Sequence, residues 1–299
     1  MLTRIVIPAF NRQQRRAAMI HVRHVAYGGA RGGGKSFFVR AKAILLCVKH
    51  AGIKVMIMRR TYPELKANHI GPLKALLGNA AKYNEQEKTF TFPNGSTIML
   101  RYAKNEADME HYQGLECDVL FIDEATQWTY EMYVKAKAFV RGVNGFPKRI
   151  YLTCNPGGRG HAWVKRLFID RKFLPEENPD EYQFVRSTVY DNKALMESDP
   201  DYVKQLESLP DKLRKAWLEG SWDIYEGQFF EEFIDNPEEY DTHRYTHVIN
   251  PFDIPKSWPI YRSFDWGYSK PFSCGYWTID YDGVLYRVTE LYGCTKTPN

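Results

Sequence analysis

Three short groups of residues in this chain have the types and spacing for phosphate chemistry. In the first, "YGGARGGGKSFF" (27–38), Gly29-x-x-x-x-Gly34-Lys35-Ser36 fits a phosphate-binding loop without a gap. Such a loop must close its backbone around an anion, so Gly29, Gly32, Gly33 and Gly34 are expected to offer their N–H groups to phosphate oxygens. Lys35 is then placed to reach the β- and γ-phosphates, and Ser36 to hold Mg²⁺. In the second group, the apolar run "VLFI" ends in Asp123 and Glu124. An acid closing a buried strand downstream of a phosphate loop is the usual second magnesium element. Asp123 is expected to hold the ion through water, and Glu124 to polarise the attacking water. Successive strand residues point opposite ways, which lets the two carboxylates divide these tasks. In the third group, "LTCNPGG" (152–158), Thr153 and Asn155 are polar groups at a strand end and could sense a γ-phosphate. A strand followed by a plain Asn-Pro turn fits the same residues equally well. Cys154 has no evident base partner and is not expected to be a nucleophile.

These groups need a scaffold, and the flanking patterns supply one. "VRHVAY" (22–27) alternates like a strand, and "SFFVRAKAILLCVKHAG" (36–52) is rich in helix formers and ends at glycine. Strand, glycine loop, helix is the setting that a phosphate loop requires. "IKVMIMRR" (53–60), "CDVLFIDEA" (117–125) and "KRIYLTCNPGG" (148–158) read as further buried strands, and "YPELKANHIGPLKALLG" as a broken helix. Two alternating runs around Asn94-Gly95 predict a hairpin. Strands alternating with helices predict an α/β fold: a mostly parallel sheet, helices on both faces, ligands at the carboxyl ends of the strands. Residues 159–225 read as more helical, with short helices stopped by Pro210 and Gly220, and 226–250 as an acidic, irregular linker. From about Pro251 three β-rich runs predict an antiparallel meander and a second domain over 251–299.

Composition sets outer bounds. Apolar content of 44% describes a chain with sizeable cores, and no stretch is apolar enough to span a bilayer. The first residues, "MLTRIVIPAFNRQQRR", lack the apolar core of a signal peptide. Five scattered cysteines without a C-x-x-C pair suggest reduced thiols in a cytosol-like compartment. His243-x-x-x-His247 has a zinc-like spacing but no cysteine pair nearby, so surface histidines are expected. A net charge of +5 is compatible with nucleic acid without demanding it.

The ordered set "GGARGGGKS", "RRTYPEL", "VLFIDEA", "LTCNPGG", "YDNKAL", "LEGSWDIYEGQFFEEF" and "SFDWGYSKPF" resembles the large subunit of tailed-bacteriophage terminase, over nearly the whole chain. That resemblance implies a phosphate-loop (P-loop NTPase) ATPase core over 1–158 with a small helical lid in 159–225, then the start of an RNase H-like nuclease over 251–299. It implies ATP and Mg²⁺ as cofactors, with Mg²⁺ or Mn²⁺ for a complete nuclease. It further implies a motor that moves double-stranded DNA into a procapsid, working with a portal protein and a small terminase subunit as a homo-oligomeric ring, a pentamer, in the host cytoplasm and on no membrane. By the same resemblance Thr153 and Asn155 fall in a motif coupling hydrolysis to movement. Gln13 or Gln14 matches a glutamine that reads adenine, and Arg31 an arginine carried inside the phosphate loop. A guanidinium can bind two phosphate oxygens, which makes Arg31 a cis-acting clamp, with a solvated loop arginine as the alternative.

There is one departure. Many relatives carry an arginine just before the magnesium strand, where this chain has Gln113; Arg101, Arg141 and, more weakly, Lys104 are the substitutes considered for a trans-acting finger. In the last domain, Asp265 is read mid-strand among aromatics, where a carboxylate is costly unless paired or liganded, with an Asp opening a turn before Trp266-Gly267 as the alternative. The resemblance makes it the first nuclease metal ligand, with Glu290 either a partner or a surface residue. The remaining acids are expected beyond Asn299, so this chain is expected not to cut DNA. A helicase-like or recombination ATPase, or a nucleotide-gated binding module, are the competing readings.

Overall fold

The apolar runs around the glycine loop become neighbouring strands of one sheet. The computed structural model describes residues 5–223, 236–242, 246–266 and 271–293. The chain folds as two units, Met1–Gly227 and Gln228–Asn299, and the division falls at the start of the stretch read as a linker.

In chain order the first unit contains α1 (Arg12–Met19), β1 (His24–Gly29), α2 (Lys35–Lys49), β2 (Lys54–Arg59), α3 (Tyr62–Leu65) and α4 (Gly71–Leu77). It continues with β3 (Lys82–Asn84), β4 (Thr89–Thr91), β5 (Thr97–Tyr102), α5 (Glu106–Glu110), β6 (Val119–Ile122), α6 (Tyr130–Lys137) and β7 (Arg149–Cys154). After α7 (His161–Val164) come β8 (Tyr182–Ser187), α8 (Lys193–Ser198), α9 (Asp201–Glu207) and α10 (Asp211–Arg214). The strands form one sheet in the order β3-β4-β5-β2-β6-β7-β1-β8. The six strands from β5 to β8 are parallel, and the expected hairpin about Asn94-Gly95 joins β4 to β5 antiparallel.

Alternate residues of each central strand feed opposite cores. Val25, Ile57 and Phe121 pack with Phe38, Ile44 and Leu73 on one face. Their neighbours Ala26, Met58 and Ile122 pack with Met132, Tyr133 and Trp163 on the other. Both faces are therefore covered, and the central strands read as continuous apolar runs rather than alternating ones.

Two features differ from expectation. Residues 159–225 are not simply helical: β8 lies within them and pairs parallel with β1 from His24↔Tyr182 to Gly29↔Ser187. As an edge strand it keeps Gln183 and Arg186 among its residues, which disguised it. The helical remainder builds a small core of its own from Val189, Leu206 and Leu218, with Tyr202 and Trp217 packed against it. Secondly, the broken helix at 62–77 does not stop at its break. A π-helical turn, Lys66–Ile70, carries α3 into α4 and brings His69 inward, fully buried.

The second unit holds a three-stranded antiparallel meander, β9 (Ile260–Asp265), β10 (Phe272–Ile279) and β11 (Leu285–Gly293), in the order β11-β10-β9. No helix among the described residues is long and apolar enough to cross a membrane.

Candidate functional site

The glycine loop lies between the end of β1 and the start of α2, and its shape is set by what surrounds it. Gly34 caps α2 in the left-handed region (φ 75°), where a glycine carries no steric cost. A side chain at Gly33 would meet Ser187 Oγ at 2.1 Å. The loop carbonyls are held by side chains. Tyr27 Oη donates to the Gly33 carbonyl (2.9 Å), as does Ser187 Oγ (3.0 Å), while Asn192 Nδ2 donates to Gly32 (2.7 Å) and Gln14 Nε2 to Gly34 (3.0 Å). Among the described residues, the N–H groups of Gly32 to Ser36 find no backbone acceptor. Carbonyls taken up and amides left free make an anion cradle at a helix N-terminus. It opens into a cleft of about 530 Å³ lined by Arg31, the glycines, Lys35, Ser36, Arg59, Glu124, Asn155 and Asn192. Lys35 is buried, and its Nζ donates to the Ala30 carbonyl at 2.5 Å. Burial pushes its pKa down, opposed by Glu124 and Asp123.

Both acids lie beyond the end of β6. Asp123 is fully buried. Its Oδ2 faces Arg59 Nη1 (2.6 Å), His69 Nε2 (2.8 Å) and Ser36 Oγ (3.4 Å), and its Oδ1 accepts from Thr153 Oγ1 (2.5 Å). Burial alone would raise its pKa. His69, Arg59 and Thr153 more than offset that and hold the carboxyl ionised well below the usual range. Glu124 differs in backbone and environment. It adopts φ 61°, ψ 52°, a left-handed conformation costing a non-glycine residue about 1–2 kcal/mol. Its N–H donates to Thr153 Oγ1 (2.9 Å), so Thr153 braces both acids at once. The two side chains thus diverge through this left-handed turn rather than through strand alternation, and Glu124 lines the cleft. Burial, then the Asp123 charge, push its pKa up, against Lys35. A carboxylate with raised basicity in a cleft suits a general base.

Magnesium can be tested against these donors. The Ser36 hydroxyl and one Asp123 oxygen, 3.4 Å apart, are the serine-plus-carboxylate pair that Mg²⁺ uses when substrate phosphates and water complete its shell. The residues fit the ion. No cluster of three or more His, Cys, Asp or Glu suited to a metal occurs among the described residues.

The other expected residues separate. Thr153 faces Asp123 and Glu124 rather than open space, while Asn155 lines the cleft, its Nδ2 3.5 Å from Glu124 Oε2 and its buried Oδ1 without a partner. Gln14 is buried; its Oε1 accepts from the Asn11 N–H and its Nε2 donates to the Gly34 carbonyl, so it ties α1 to the loop. Gln13 opens onto a different, basic cleft with Arg12, Arg15 and Arg16. Beside the phosphate cleft lies a pocket of about 770 Å³ lined by Pro8, Asn11, Gln14, Phe37, Tyr190 and Leu195, suited by size and apolarity to a flat ring. Arg31 lines the phosphate cleft, its guanidinium over the Trp217 ring. Arg101 donates to the Glu87 and Leu100 carbonyls, and Arg141 pairs with Glu116 at 3.2 Å. Lys104 borders a shallow pocket with Arg60 and Arg159. Cys154 is fully buried and its thiol pushed up to about 12 by burial, which leaves it inert.

In the second unit Asp265 ends β9 opposite Ser273, whose hydroxyl donates to Glu290 at 2.6 Å; Arg287 holds the other Glu290 oxygen at 3.0 Å. Asp280 accepts the N–H groups of Asp282 and Val284 and so closes the β10–β11 turn. Of the expected surface pair, His243 falls outside the described residues.

Sequence reasoning missed Arg59, His69, Ser187 and Asn192. Arg59 carried a signal as the charge ending a largely apolar strand run, and Asn192 as part of "YDNKAL". His69 depends on a π-turn, and Ser187 on a strand that was not foreseen.

No curated protein matches the chain. Among solved structures, the large terminase of a thermophilic bacteriophage is similar at 20% identity and a TM-score of 0.59, over 97% of this chain and 71% of that one. The same protein in complex with ADP gives 18% and 0.58, over 96% and 71%. The large terminase of bacteriophage HK97 gives 10% and 0.50, over 95% and 63%. At these identities the likeness is one of fold. The family described as "Terminase large subunit, T4likevirus-type, N-terminal" matches residues 26–234, which span the sheet, the glycine loop and both acids. The chain belongs to the terminase large subunit family.

Proposed function

We propose that the first unit hydrolyses ATP and that this hydrolysis drives double-stranded DNA into a procapsid. One observation carries the reading: Lys35, Ser36, Glu124 and Asn155 line a single cleft, with the buried Asp123 carboxylate 3.4 Å behind the Ser36 hydroxyl. That the thermophilic-phage terminase was solved in complex with ADP and with ATP-γ-S supports a nucleotide as the ligand. In this reading the amides of Gly32 to Ser36 bind phosphate oxygens, and Lys35 offsets the charge that grows on the γ-phosphoryl group. Ser36 and Asp123 would hold Mg²⁺, which would supply charge neutralisation. Glu124 takes the proton of the attacking water, its basicity raised by burial and Asp123. Asn155 lines the same cleft beside Glu124. Arg31 stabilises the departing phosphoryl group from within the same subunit.

The remaining assignments follow family practice. The motor works as a homo-oligomeric ring with portal protein and small subunit, in the host cytoplasm. The second unit is RNase H-like, with Asp265 as a metal ligand. A neighbouring subunit supplies the arginine that Gln113 does not, so the isolated chain hydrolyses slowly. The test is ATP turnover by the purified chain and its Lys35→Ala variant, with and without duplex DNA. Loss of turnover and of most nucleotide affinity is expected; near-normal turnover in a folded Lys35→Ala protein sinks the assignment. Strand unwinding by the wild type would favour a helicase instead.

A further inference from the structure

Arg31 is exposed at the crest of the glycine loop, yet both ends of it are held by one residue. Its guanidinium carbon lies 3.3 Å from the centroid of the Trp217 ring, and its backbone N–H donates to the Trp217 carbonyl at 2.7 Å. The segment carrying Trp217 is itself fixed against the loop. Ala216 and Leu218 on either side are buried, and Gly220, at φ 67°, packs so closely that a Cβ would lie 2.7 Å from the Gly29 carbonyl carbon. The Glu219 carbonyl accepts from Arg186 on β8. Trp217 is therefore a rigid platform.

Stacking uses the face of a guanidinium and leaves its N–H groups free in the plane. Among the described residues, no acceptor takes up those groups, and Arg31 lines the phosphate cleft. An unsupported arginine at a loop crest would spread over many rotamers, and ordering it would cost affinity at each turnover. We propose that Trp217 is the positioning residue for Arg31: the indole fixes the plane of the guanidinium so that its N–H edge meets the phosphoryl group during hydrolysis. The proposal rests on the ATPase reading of the cleft and assigns a task to a residue outside the three motif groups. A stacked cation–π contact supplies a factor of about 2 to 30.

The test is a double-mutant cycle on ATP turnover. Trp217→Leu is expected to lower kcat about 2- to 30-fold with a smaller effect on KM, and Trp217→Phe, which keeps an aromatic face, to restore most of the loss. Arg31→Ala with Trp217→Leu should be no slower than Arg31→Ala alone. Multiplicative losses would overturn the proposal, because a purely structural Trp217 acts without Arg31. Trp217 also packs in the small core, so folding of Trp217→Leu is checked by thermal melting. A second readout avoids that variant: emission from Trp217, isolated as the difference between wild type and Trp217→Phe, should shift in Arg31→Ala and on adding Mg²⁺ with ATP-γ-S. An emission indifferent to Arg31→Ala would also overturn it. If the wild type does not hydrolyse ATP, the ATPase reading fails, and the cycle read as ATP-γ-S affinity still decides whether the two residues are coupled.

Discussion

The Arg59 guanidinium lies 2.6 Å from the Asp123 carboxylate, with both side chains withdrawn from solvent at the end of adjacent strands. Removing one partner of a buried pair strands the other charge. Arg59→Leu is therefore expected to destabilise the fold by about 3–5 kcal/mol. Urea unfolding of the nucleotide-free protein measures this. A loss below about 1 kcal/mol would mean that His69 and Thr153 suffice to hold Asp123.

His24 gives a pH dependence with a definite sign. It is buried, its Nδ1 2.8 Å from Tyr133 Oη and its ring stacked on Tyr182 at 4.5 Å. Burial, then Lys137 and Arg23, lower its pKa from 6.5 to about 3. The unfolded chain therefore binds a proton below pH 6.5 that the folded chain refuses, and stability falls as pH drops from 6.5 towards 3. The slope from this one group approaches about 1.4 kcal/mol per pH unit. Urea melts at pH 7 and pH 5 should show a smaller difference in His24→Gln than in wild type. Equal differences would mean that His24 titrates normally.

Much of this was legible in the residues, and the failures have physical causes. Lys35, Ser36, Asp123 and Glu124 were readable because a glycine loop and an apolar strand ending in acids leave local marks. Their arrangement was not: the divergence of the acids depends on a left-handed Glu124 that only its Thr153 brace explains. Gln13 or Gln14 is the residue expected to read adenine, and Gln14, whose spacing from Asn11 is also that of a capping box, completes that box. Strand β8 was hidden because an edge strand pairs on one side and keeps polar residues. With it went Ser187, which holds the Gly33 carbonyl.

The 299-residue chain is expected to leave plasmid DNA intact with Mg²⁺ or Mn²⁺. Two-metal cleavage needs several carboxylates around ions about 3.5–4 Å apart. In the meander Asp265 ends β9, Glu290 is engaged by Ser273 and Arg287, and Asp280 closes the far turn. Gel analysis after prolonged incubation with Mn²⁺ checks this. Cleavage that disappears in Asp265→Ala would contradict it and make Glu290 a ligand.

The central claim is that Glu124 acts on water while the glycine loop and Lys35 bind the nucleotide. Glu124→Gln separates the two, because it keeps shape and hydrogen bonding but removes the base. The direct measurement is ATP-γ-S affinity and ATP turnover of that variant side by side. Affinity is expected to stay within a few-fold of wild type while turnover falls about 10²-fold or more, as loss of a general base requires. If binding falls together with turnover, Glu124 is a structural or phosphate-contacting residue; if turnover persists, the cleft does its chemistry without it, and in either case the account is wrong.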